Sequence, residues 1–291
     1  MSMRPRRSVL YMPGSNSRAL EKARTLFADS LVFDLEDAVS PENKVLARER
    51  VITAVQAGGY GQRELVVRVN GLDTPWGEED VRALSSQPVA ALCLPKIESA
   101  ASIQRVADLM STYGAPPSMA IWAMIETPRG VASAQEIAAA HPRLSALLMG
   151  TTDLAKELRV PHTPDRIGLQ ISLGACVLAA RMANIDVLDG VYLAIDDAEG
   201  FAASCRQGRD LGFDGKTLIH PSQIDSANYV FGPSTEAIAR ARRIMAAWEE
   251  ASTEGKALAV VDGKLVESMH VDEAKRTLAM AELIAQSGAN A

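Results

Sequence analysis

Glu126 and Asp153 are the residues whose setting most directly implies chemistry. Each follows an apolar run that breaks off into polar residues, AIWAMIET for Glu126 and LSALLMGTTD for Asp153. Two carboxylates held side by side at a partly buried site repel unless something positive lies between them. A small hard cation answers that need, because Mg²⁺ takes one or two carboxylates, keeps waters, and leaves positions for a ligand's oxygens. Zinc fits less well: the four histidines (His141, His162, His220, His270) show neither ligand spacing nor an HExxH pattern. The alternative for the pair is a structural ion-pair role. Arg68, in RVN, lies inside another apolar run, and its charge cannot be neutralised in place, so it needs a partner. Glu36 or Asp37 is one candidate; an anionic substrate or developing oxyanion is the other. Lys96 and Lys216 open a rival chemistry, in which a buried lysine forms a Schiff base, although lone lysines so placed more often serve as ion-pair partners.

These side chains need a scaffold that brings the ends of successive strands together. Short apolar runs recur at 8–12, 31–35, 65–69, 91–95, 119–125, 144–150, 187–195 and 216–220. Several are nearly continuous in apolar residues, as expected of parallel strands buried on both faces. Between them lie helical stretches such as 17–27, 41–56, 99–111, 130–139, 165–184 and 197–210. Eight strand–helix units predict a closed (β/α)8 TIM barrel over 1–232, with an open doubly wound sheet as runner-up that lacks a GxGxxG after its first strand. Nearly every run ends in a polar or charged residue: Glu36 and Asp37, Arg68, Lys96, Glu126, Asp153, then Asp196 and Asp197, then His220. In such a barrel those ends share one face, and that face carries the active site. Residues 233–291 form a separate C-terminal extension: a long helix over 234–254, a short strand at 259–261 and an amphipathic helix over 271–286. It is expected to cap the barrel or a neighbouring subunit.

With 47% hydrophobic and 23% charged residues in 291, the composition excludes a disordered or disulfide-scaffold chain. A net charge of −6 gives no global footprint for nucleic acid. No apolar run approaches the ~20 residues that cross a bilayer, and the stretch after Arg4, Arg6 and Arg7 is too short for a signal peptide. Cys93, Cys176 and Cys205 form no CxxC pair and are expected as reduced thiols. The expected location is the cytoplasm.

RSVLYMPGSNSRALEKA, FDLEDAVSPENKVLAR, RVNG, LPKIE, MIETPRGV, MGTTDLAKELR and DGKTLIHPSQI, in this order, resemble the citrate lyase β-subunit-like acyl-CoA lyases, which include malyl-CoA, citramalyl-CoA and citryl-CoA lyases. The resemblance runs from about residue 6 to 232 and implies the same barrel, in homo-oligomers such as trimers or hexamers. It implies that Glu126 and Asp153 ligate Mg²⁺ and that Arg68 contacts the substrate's carbonyl or carboxylate. It also implies that Tyr11, Arg18, Lys22, Lys44 and Arg48 lie near the acyl-CoA, whose phosphates such basic side chains grip. Gly150, Thr151 and Thr152 are expected to line the space for a 2-oxo acid, and Glu36 and Asp37 to hold metal-bound waters. One departure stands out. Relatives carry an aspartate in a MIDxP-like segment that reaches a neighbouring subunit's site as proton donor or acceptor; here KLVESMH places Glu267 there, without the proline. The implied reaction is Mg²⁺-dependent cleavage of a 3-hydroxy-3-carboxyacyl-CoA into a 2-oxo acid and acetyl-CoA, or the reverse. Three alternatives remain: a pyruvate-type metal aldolase on free hydroxy-oxo acids, a β-subunit acting on a carrier-bound thioester, and a non-catalytic CoA-ester-binding barrel.

Overall fold

The computed structural model describes residues 3–253, 255 and 258–289. Eight parallel strands close into a barrel in sequence order: β1 (Ser8–Pro13), β2 (Ser30–Asp34), β3 (Glu64–Arg68), β4 (Ala91–Leu94), β5 (Ala120–Ile125), β6 (Leu144–Met149), β7 (Asp186–Asp189) and β8 (Gly215–Leu218). β1 completes the ring by pairing with β8, Ser8 opposite Lys216. The chain forms the (β/α)8 fold expected from its eight apolar runs. Alternate residues divide two cores. Val9, Val32, Val66, Cys93, Trp122, Met124, Leu148 and Leu188 fill the lumen. Leu10, Leu31, Phe33, Val67, Leu92, Ile121, Leu147 and Val187 pack outward against the helices. The lumen is therefore solid, and the chemistry is confined to its rim.

The seventh strand is shorter than its run. It stops at Asp189, and Gly190 packs closely against the neighbouring element: a Cβ there would lie 2.3 Å from Thr151 Oγ1. Asp196 and Asp197 consequently lie in a loop, and Asp197 caps the helix Ala198–Leu211 by accepting from the Gly200 amide. Three helices, Gly77–Leu84, Thr151–Leu158 and Ile224–Phe231, fall outside the stretches read from the sequence. At the strand-start end, Arg6 closes the barrel floor. Its guanidinium bonds Glu64 and Asp186 at 2.7 Å and lies 5.0 Å from the centre of the Trp122 ring.

After the helix Ile224–Phe231 the chain continues as a long helix, Thr235–Thr253, a hairpin of Ala259–Val261 and Lys264–Val266, and a helix, Ser268–Ala289. These share a small core of their own, including Ala241, Ile244, Val261, Val266 and Val271. Arg276 on the last helix meets Asp214 at 3.2 Å, just before β8, which ties this helix to the floor end of the barrel. All three cysteines are buried and unpaired to one another. Among the described residues, no helix is long and apolar enough to cross a membrane.

Candidate active site

The strand ends assemble a charged mouth. Arg68, the last residue of β3, sits opposite Asp34, the last of β2, by register. The pair is bidentate: Nε to Oδ1 at 2.7 Å and Nη2 to Oδ2 at 2.6 Å. Arg68 Nη1 also meets Glu36 Oε2 at 2.8 Å and Asp37 Oδ2 at 3.5 Å. Glu36, expected as a partner, is one, but the principal partner is Asp34. Asp34 additionally accepts the amides of Glu36 and Ala38, at 2.9 and 3.1 Å, so it shapes the turn that carries Glu36 and Asp37. Behind the guanidinium lies the Tyr11 ring, 4.9 Å from Cζ. A planar cation fixed on both edges and on one face has a single orientation left, with its outer side to the mouth.

Glu126 follows β5 directly and is 3% exposed. Its Oε1 accepts the Lys96 amide at 2.7 Å. Burial pushes its carboxyl up to about 7; the Lys96 amide and Arg68 oppose this, and the Asp153 charge adds to it. Gly150, which ends β6, is pressed against it: a Cβ there would lie 2.3 Å from both Glu126 Cβ and Oε2. Asp153 is half-buried and stands in the first turn of Thr151–Leu158 rather than on a strand end. That placement suits an anion, because the first turn presents the positive end of the helix dipole.

The donor set fits a hard divalent ion. Among the described residues no group of three or more His, Cys, Asp or Glu could hold a metal. A cation between Glu126 and Asp153 would thus have two protein carboxylates and open positions, as Mg²⁺ accepts and a closed zinc site does not. Glu36 Oε2 is buried and lacks an aligned hydrogen-bond partner. Burial pushes the Glu36 carboxyl up to about 7, Arg68 opposing and Asp37 and Glu126 adding. The same Oε2 faces Arg68 Nη1 at 2.8 Å, so it is charge-paired rather than free.

The remaining expected residues divide. Arg18 and Lys22 are exposed one turn apart on the helix Ser17–Lys22. Lys44 is buried, donating to the carbonyls of Leu35 and Glu36 at 2.9 and 2.8 Å, and so braces the Glu36 turn from beneath. Arg48 pairs with buried Asp80 at 2.9 Å, and Asp80 also fixes Asn70. Thr151 is buried against Gly190, its carbonyl 3.1 Å from His162 Nε2, whereas Thr152 is exposed. Glu267 is exposed at the start of the last helix, and within one chain the structure does not bring it to Glu126 and Asp153. Lys216 is fully buried at 2.8 Å from Asp189, whose other oxygen takes Arg166 at 2.6 Å. A Cβ on Gly208 of the helix Ala198–Leu211 would lie 2.6 Å from Asp189 Oδ2, so this triad faces the helices and not the mouth. Lys216 has the ion-pair role. Asp34 is the site residue that sequence reasoning missed; its only signal is an acid inside the apolar run LVFDL.

The strands close into a parallel eightfold (β/α)8 barrel whose mouth carries two carboxylates and a fixed arginine. The chain belongs to the HpcH/HpaI aldolase/citrate lyase family, whose model matches residues 7–221. It is 51% identical to a (3S)-malyl-CoA thioesterase of Cereibacter sphaeroides over 98% of both chains. It is 36% identical to the citrate lyase subunit beta of Leuconostoc mesenteroides subsp. cremoris, over 96% of this chain and 94% of that one. Among solved structures it is similar to the protein CitE of Mycobacterium tuberculosis in complex with magnesium, acetoacetate and coenzyme A. The TM-score is 0.75 at 30% identity, covering 94% of this chain and 97% of that one.

Proposed function

We propose that the chain is a Mg²⁺-dependent enzyme acting on the CoA thioester of a hydroxydicarboxylic acid, with (3S)-malyl-CoA as first candidate. The observation that carries this reading is the convergence of Glu126, Asp153 and Arg68 at one mouth. Two hard-oxygen donors beside a guanidinium are what a vicinal hydroxyl and carboxylate require. Mg²⁺ held by Glu126 and Asp153 would supply Lewis-acid polarisation of those oxygens. Arg68, oriented by Asp34 and Tyr11, holds the anionic end and stabilises charge at the reacting centre. Glu36 and Asp37 hold ordered waters beside it. Arg18 and Lys22 grip the CoA phosphates from the rim, and Lys44 and Arg48 shape the segment below them. Gly150 and Thr152 border the acyl end, with Thr151 fixing their turn. The enzyme works in the cytoplasm as a homo-oligomer, trimer or hexamer.

Two bonds of that substrate are open to attack. Hydrolysis of the thioester, releasing malate and free CoA, is favoured by the 51% identity to a malyl-CoA thioesterase over nearly the whole chain. Carbon–carbon cleavage to glyoxylate and acetyl-CoA is the second reading, favoured by the likeness to citrate lyase subunit beta and to CitE with magnesium and coenzyme A. Cleavage leaves a thioester enolate that needs a proton, and Glu267 of a second copy is the candidate donor. The test is incubation with (3S)-malyl-CoA in Mg²⁺ or in EDTA. Free thiol and malate in equal amounts identify hydrolysis; glyoxylate with acetyl-CoA identifies cleavage. Neither product above the EDTA control overturns both.

A further inference from the structure

Lys96 follows β4 and Pro95, and it takes φ +48° although it is not glycine. Arg159 and Asn184 share such angles as helix C-caps, where a left-handed residue is usual. Lys96 instead closes a strand. Left-handed non-glycine backbone persists where the surroundings over-determine it, and it gathers at functional sites. Here its consequence is visible in the bonding. The turned amide of Lys96 donates to Glu126 Oε1 at 2.7 Å, and the next amide, of Ile97, returns to the sheet by donating to the Met124 carbonyl at 3.1 Å. The side chain is exposed; partial burial disfavours its ammonium, and the charges of Asp153, Glu36, Glu126 and Asp37 outweigh that and favour it.

The charges at the mouth are unequal. Asp34, Glu36, Asp37, Glu126 and Asp153 face Arg68 and Lys96, and Asp34 is already matched by its bidentate pair with Arg68. We propose that Lys96 is a positioning residue with two separable functions: its left-handed backbone fixes the carboxylate of Glu126, and its ammonium is the counter-charge the remaining carboxylates share until a divalent cation arrives. Once the cation is bound, the same ammonium faces the incoming anionic substrate. This inference rests on the Mg²⁺ reading of the site and adds a residue to it.

The experiment is calorimetric titration of the substrate-free protein with Mg²⁺, comparing wild type with Lys96→Met and Lys96→Val. Methionine keeps a long stem without charge and an unbranched Cβ; valine also removes the charge, but its branched Cβ resists the left-handed backbone that turns the amide to Glu126. Coulomb's law at the dielectric of water sets the scale: a unit charge removed ~8 Å from a divalent ion would tighten its binding roughly fivefold. Lys96→Met is expected to show that gain, with a raised KM for the anionic substrate. Lys96→Val is expected to gain less, since its backbone no longer holds Glu126, and to have a lower kcat than Lys96→Met. Mg²⁺ affinity within twofold of wild type in Lys96→Met overturns the counter-charge function. Equal kcat and equal Mg²⁺ affinity in the two variants overturn the backbone function. Wild type that binds no Mg²⁺ overturns the metal reading underneath. Melting of the metal-free proteins still reads Lys96 separately: Lys96→Met is expected to melt below wild type at low salt, with the gap closing at high salt.

Discussion

Gly150→Ala is the sharpest perturbation the mouth offers. The backbone at Gly150 has φ −87° and ψ 72°, so alanine brings no left-handed strain. Its Cβ, however, would stand 2.3 Å from Glu126 Cβ and 2.3 Å from Oε2. Ordinary carbon contacts begin near ~3.5 Å, so Glu126 must give by about 1 Å. Rotation of the Glu126 side chain does not relieve the clash with its Cβ, so the backbone of one of the two strand ends moves. Overpacking of this kind costs about 1–3 kcal/mol, which lowers Tm by only a few degrees in a chain of this size. Displacing a ligand group by about 1 Å costs on the order of 100-fold in turnover. The assay is threefold: thermal melting, Mg²⁺ calorimetry, and turnover of (3S)-malyl-CoA. The expected result is a folded protein with Mg²⁺ affinity reduced tenfold or more, by this reasoning, and kcat/KM reduced about 100-fold. A folded variant with wild-type affinity and turnover would refute the packing of Gly150 on Glu126 as the device that places the ligand.

Asp34→Asn leaves the buried Arg68 without its bidentate counter-charge, and a loss of about 3 kcal/mol is expected by chemical denaturation, together with a raised KM. Asp189→Asn strands two buried cations, Lys216 and Arg166, and should cost about 3–5 kcal/mol while leaving Mg²⁺ affinity unchanged in whatever protein remains folded. Glu36 and Glu126 are both pushed up from 4.5 to about 7 by burial, so the folded state prefers their protons. The stability they contribute is full below pH 4.5 and is lost as pH rises through about 7. The metal-free protein should therefore melt lower at pH 8 than at pH 6, and Mg²⁺ should restore most of the difference, whereas EDTA should not. A melting temperature that is flat across that range in EDTA would contradict this assignment of the burial.

The barrel is legible because parallel strands buried on both faces write nearly unbroken apolar runs such as ALCL and LSALLM, and the sequence shows eight. The run 187–195 overreads its strand because Val191, Leu193 and Ile195 continue the apolar pattern past Gly190, where the chain leaves the sheet packed against Thr151. The helix Thr151–Leu158 escapes notice because it follows β6 with Gly150 as its only punctuation, so Asp153 reads as a strand end. Glu126, Asp153 and Arg68 are legible as charges that an apolar run cannot keep without a reason. Asp34 is not, because its pairing depends on the β2–β3 register, which joins residues 34 apart in the chain. Lys44 and Arg48 look like solvated helix faces for a related reason: Lys44 bonds the carbonyls of a turn eight and nine residues back, and Arg48 an acid 32 residues on. Parity along a strand can be read from one sequence; the partner across it cannot.

The most direct measurement is anomalous diffraction from crystals soaked in Mn²⁺, an ion that takes the same oxygen donors as Mg²⁺. The account predicts one strong peak bridging the carboxylates of Glu126 and Asp153, lost in Glu126→Gln. A peak elsewhere with none between these two side chains, or a bridging peak that survives Glu126→Gln at full strength, would contradict it.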